Sequence, residues 1–190
     1  MKRIERIIIL ILVIILWTGN AFASTLNLGE DVYRLKLTNF SSNRGEFINL
    51  NLGYGLDEYS AYGVNLILPY GGNGRGIAEI EYQFIPEGMQ KTGEVFNYAF
   101  KIGGVSGNIF DSSNAGVKGG FVIENDLDDK VIYFNSDLVY DSSILLMGEL
   151  GVSGEISEGI EGVIGYKVVA SDSKDYGTAR GFFYGIKIDF

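Results

Sequence analysis

Glu79 and Glu81 stand two residues apart in "IAEIEYQF", so in an extended chain both carboxylates leave the same face. Two carboxylates on one face are the minimum for general acid–base work without a cofactor. They are also what a buried lysine or arginine needs as a partner, and the latter is the expectation for this chain. Arg34, Lys36, Lys101, Lys118, Lys167 and Lys187 occupy the same kind of alternating polar position, as do Glu149 and Glu161. These ten side chains are the candidates to line a common interior.

Other chemistry is narrower still. The sequence has no histidine and no cysteine, which removes Ser–His and Cys–His nucleophilic sites and thiolate or imidazole metal ligation. "GGNGRG" (71–76) has the glycines of a phosphate loop but lacks the Gly-Lys-Ser/Thr ending and a following helix. "ENDLDD" (124–129) is acidic, yet it has neither the loop glycine nor the closing glutamate of a dedicated calcium loop. No catalytic residue, metal or cofactor is expected.

The elements that must carry these residues are strands. After residue 30 the chain alternates with period two, and no helix is expected beyond the leader. "VYRLKLT" sets Tyr33, Leu35 and Leu37 against Arg34, Lys36 and Thr38. "FINLNLGY" sets Ile48, Leu50, Leu52 and Tyr54 against Asn49, Asn51 and Gly53. The same reading gives ten strands, with eight as the alternative. The stretch 130–140 is the least regular, with Ile132, Phe134, Leu138 and Tyr140 on its better apolar face. Longer Gly-, Ser- and Asn-rich connections are expected at 39–45, 70–76, 105–116 and 171–178. Short turns are expected at 55–59, 125–129 and 154–159.

The N-terminus is a targeting segment. Lys2, Arg3 and Arg6 precede an apolar run from Ile7 to Trp17. As a helix that run rises about 16 Å, half of a hydrocarbon core. Ala21 and Ala23 then stand A-x-A before Ser24, which predicts cleavage after Ala23. Residues 24–190 are expected to form one domain, with residues 1–23 removed. The whole chain carries −9, and the mature part carries twelve basic against twenty-three acidic residues, a net −11. With no basic patch, nucleic acid is not an expected partner.

A soluble sandwich or ligand-binding barrel alternates too. The aromatics near strand ends (Tyr54, Tyr62, Tyr70, Phe84, Phe96, Tyr140) favour a membrane interface instead. The polar faces, rich in Gly and Asn with charges of both signs, suit a crowded interior. In hydrocarbon only a closed barrel satisfies every strand's backbone. The expected fold is therefore an all-β, antiparallel, up-and-down transmembrane barrel in outer-membrane lipid.

The closing "YGIKIDF" resembles the C-terminal assembly signal of bacterial outer-membrane proteins, with Tyr184, Ile186, Ile188 and the terminal Phe190 in alternation. That resemblance implies export to the outer membrane and reading of the last strand by the barrel-assembly machinery. "ASTLNLGEDVYRL", "YFNSDLVYDSS" and "IEGVIGYKVVASDSKDYGTARGFFYGIKIDF" resemble YfaZ-type small outer-membrane proteins, a family without an assigned activity. The expected role is non-enzymatic, structural or surface-exposed. A small passive channel and a loop-borne adhesin or receptor are the alternatives, and the oligomeric state is open.

Overall fold

The computed structural model describes residues 30–70, 76–87, 96–107, 114–127, 130–140, 143–172 and 178–190. The expected cleavage residues Ala21, Ala23 and Ser24 lie outside them. Ten strands follow one another: β1 (Tyr33–Ser42), β2 (Gly45–Asp57), β3 (Ser60–Tyr70), β4 (Ile77–Phe84), β5 (Phe96–Gly107), β6 (Asn114–Leu127), β7 (Lys130–Tyr140), β8 (Ile144–Ser157), β9 (Ile160–Ser171) and β10 (Thr178–Asp189). Each pairs antiparallel with its chain neighbours, and β10 returns to β1 to close the barrel. The fold is all-β with ten strands, not eight.

Closure runs to the last residue. Phe190 and Tyr33 exchange both backbone hydrogen bonds at 2.9 Å, and their rings stack 6.0 Å apart. The terminus is thereby held as part of the seam.

Register fixes the tilt. Following in-register partners around the barrel from Tyr33 through Tyr54, Tyr62, Tyr82, Ile102, Gly119, Leu138, Leu146, Ala170 and Thr178, and extending the β10–β1 register beyond Gly181–Ser42, returns to the line of β1 about twelve residues above the start. Such a stagger over ten strands tilts them by about 40°. Strands of 8 to 14 residues then match the thickness of a bilayer, which a tilted strand of roughly ten residues crosses.

The strands extend further than their alternation indicates, and the connections shrink. The expected loop at 39–45 is a two-residue turn, Asn43–Arg44, because β1 and β2 pair through to Ser42 and Gly45. Ser42 Oγ accepts the Arg44 N–H at 3.1 Å, which stabilises the turn. Gly159, at φ 72°, supplies the left-handed residue in the β8–β9 turn. The stretch 105–116 likewise contracts to six residues between β5 and β6. The longest connection, 85–95, joins β4 to β5 at the end where the chain otherwise makes tight turns. Ile85 there bonds back to the Tyr59 carbonyl and packs on Ala99 and Val122.

Candidate functional site

Alternation sorts each strand into an outer and an inner wall. The outer wall is apolar: Leu52, Ile80, Ile102, Leu138, Leu150 and Ile164 are each about half exposed. A soluble surface does not carry an apolar belt of that extent. At the turn end a run of rings follows the rim, with Tyr33–Tyr54 centroids 4.9 Å apart and Tyr62–Tyr82 5.3 Å apart.

The inner wall has the opposite character. All ten sequence candidates, Arg34, Lys36, Glu79, Glu81, Lys101, Lys118, Glu149, Glu161, Lys167 and Lys187, point inward, and they form three groups. Lys118 sits 2.7 Å from Glu79 and 2.7 Å from Glu81, with Asp137 at 3.6 Å. Lys101 completes this group, 2.6 Å from Asp137 and hydrogen-bonded to Asn135. Glu149 lies between Lys36 at 3.2 Å and Lys167 at 3.6 Å, and accepts the Tyr133 hydroxyl at 2.9 Å. Nearest the seam, Arg34 forks onto Asp189 at 2.7 and 2.6 Å, and Lys187 meets Glu161 at 2.6 Å.

Glycine makes these meetings possible. Glu81, Gly103 and Lys118 are consecutive partners across β4, β5 and β6, and Lys101, Gly120 and Asp137 across β5, β6 and β7. With only hydrogen on the middle strand, a lysine reaches over it to the strand beyond. A Cβ at Gly103 would strike the β4 backbone, and one at Gly120 the Asp137 carboxylate. Aromatics use the same device: Tyr133 lies over Gly151, and Phe183 over Gly165.

Between these groups runs a polar cavity of about 140 Å³, lined by Asn49, Asn51, Asn65, Gln83 and Asn135 as well as the charges. It has room for on the order of ten waters. Toward the loop end it gives way to apolar packing. Val139, Met147, Val169 and Ala179 form one buried cluster with Leu145 and Val105 against it. Phe40, Tyr133, Val163 and Phe183 form another, which reaches from Phe40 near the loop end down to Tyr133 and Val163 in the turn-end part of β7 and β9, with Phe47 against it. Sequence alternation did not single out this layer or Asp137, Asp189 and Tyr133. Their strand positions alternate correctly, but for Tyr133 and the apolar layer an inward-facing residue carries no mark that separates it from one facing lipid. No metal-binding group of carboxylates is present among the described residues.

No family profile and no curated protein matches the sequence, so the likeness to YfaZ-type proteins stands as a resemblance. Among solved structures, the N-terminal β-barrel domain of Pseudomonas aeruginosa OprF is similar at 9% identity and TM-score 0.44, covering 85% of this chain and 99% of that one. Neisserial surface protein A is similar at 12% identity and TM-score 0.24, covering 84% and 95%. Both scores lie below 0.5, and the reading of function rests on this barrel's own geometry.

Proposed function

We propose that the chain is a non-enzymatic outer-membrane β-barrel with a closed lumen, acting as a structural or surface protein of the YfaZ-like kind rather than as a channel. It is exported by its cleaved leader, and its last strand is read by the barrel-assembly machinery. The apolar outer belt supports the membrane reading, since hydrocarbon is the environment in which such a belt is stable. The observation that carries the closed lumen is the apolar layer at its loop end. Phe40, Val139, Met147 and Ala179 are 4%, 5%, 5% and 1% exposed, and side chains so covered leave little room for a water column. Glu79 and Glu81, the pair with catalytic spacing, are both engaged by Lys118, which supports a structural use.

Planar-bilayer recording of the folded protein tests this. The unaltered barrel should stay silent over many insertions, while Phe40→Gly/Met147→Gly should give steps. Steady conductance from the unaltered protein would overturn the closed-lumen reading. Recovery in the soluble fraction, with no heat-dependent shift in gel mobility, would overturn the membrane reading.

A further inference from the structure

The outer wall is mostly apolar, with Ser106 and Ser136 as isolated polar positions, and beside the seam it carries charge. On β1, Phe40 faces inward and is buried, so Asn39 and Ser41 face outward. Ser41 pairs with Glu46 on β2 and with Phe182 on β10. Two residues above Phe182 stands Arg180, outward because Ala179 and Phe183 on either side of it are buried at 1% each. Glu46 and Arg180 are both exposed, and neither has an ion-pair partner among the described residues. With strands tilted about 40°, the two come within about 3 Å of the same height, one to each side of Ser41.

We infer that this face is the contact between two copies of the chain, related by a two-fold axis along the membrane normal near Ser41. A two-fold contact sets a surface against itself. A positive group to one side of the axis and a negative group at equal height on the other side are then matched twice. Arg180 of each copy meets Glu46 of its mate. The space between is filled by Phe182 and Tyr184, 46% and 55% exposed. Asn39 lies on the same face, its amide donating to the Tyr184 hydroxyl at 3.2 Å. The inference rests on the membrane reading; heat-dependent gel mobility reports that reading separately from dimerisation.

Charge reversal tests it, with sedimentation of the folded full-length protein in mild detergent as the readout. In Arg180→Glu both pairs become repulsive, as they do in Glu46→Arg, so each variant alone should lose the dimer, its dissociation constant rising at least about tenfold. An equal mixture of the two variants restores both pairs, and so does Arg180→Glu/Glu46→Arg in one chain; both should dimerise as the unaltered protein does. The chain has no cysteine, so Ser41→Cys should form a disulfide dimer in membranes, while Val117→Cys on the opposite wall should not. An unaltered protein that is monomeric throughout, or a dimer indifferent to both single reversals, would overturn the inference.

Discussion

Replacing Lys118 with Met keeps its length and removes its charge. The ammonium lies between three carboxylates, and Lys118 and Glu79 are only 3% and 2% exposed at the side chain. Without it, Glu79, Glu81 and Asp137 share one remaining cation, Lys101. Removing one member of a buried pair costs about 3–5 kcal/mol, because the other charge is left without compensation. Glu81 is 15% exposed and borders the cavity of about 140 Å³, so water takes up part of the loss. The expected cost is therefore at the low end, about 3 kcal/mol, or on the order of a hundredfold in the unfolding equilibrium. Urea titration in lipid vesicles, scored by unboiled gel mobility, measures it; the only tryptophan, Trp17, lies in the expected leader. The companion variant Lys118→Met/Glu79→Gln/Glu81→Gln leaves Lys101 and Asp137 as a matched pair and should return to within about 1 kcal/mol of the unaltered protein. If Lys118→Met alone stays within that margin, or the triple variant is as unstable as the single, the electrostatic account is wrong.

Three further substitutions separate the walls and the seam. Gly165→Val places a Cβ against the Phe183 ring and the Leu150 carbonyl and should cost about 1–3 kcal/mol in the same titration. Gly148→Val, whose new Cβ meets nothing within 4 Å, should be neutral or mildly stabilising, since glycine is a poor strand residue. Phe190→Asp loses the stack on Tyr33 and sets a charge at the rim. Folded barrel recovered from the outer membrane should fall severalfold, with no comparable fall for Asp at Tyr70 by the loops. Equal recovery would count against an assembly role for the terminus.

Which side chains face inward was readable from period two alone, because a single polar residue between two apolar ones has only one wall to occupy. Lys101 between Phe100 and Ile102 shows this. Which charge meets which was not readable. Lys118 and Glu81 are 37 residues apart, and their meeting depends on the registers of β4, β5 and β6 together. Asp137 was hidden because β7 presents Val131, Tyr133 and Val139 inward as well, so its two faces contrast weakly. Loop lengths were overestimated for a related reason. Ser41, Ser42, Glu46 and Asn114 lie in strands but carry the polar composition of loops, and only backbone pairing distinguishes the two.

The interior charges also answer a problem the outer belt leaves open. A strand that slips by one residue turns its apolar side chains inward, and the belt forbids that. A slip by two residues keeps every apolar side chain in lipid, so the belt is indifferent to it. The inner wall is not. Moving β6 by two residues against β5 takes Lys118 off the row of Gly103 and Glu81, and takes Gly120 out from beneath Lys101. A lysine would then face a side chain where it needs open space, and a carboxylate would face none of its partners. Because each charge–glycine–charge row spans three strands, one row fixes two registers at once, and two overlapping rows fix β4 through β7. Arg34–Asp189 marks the register of β1 on β10 at the seam, and Lys187–Glu161 that of β10 on β9 beside it. The buried charges thus select one stagger among several that the lipid-facing surface accepts equally, and with it the tilt, the diameter and the volume left inside.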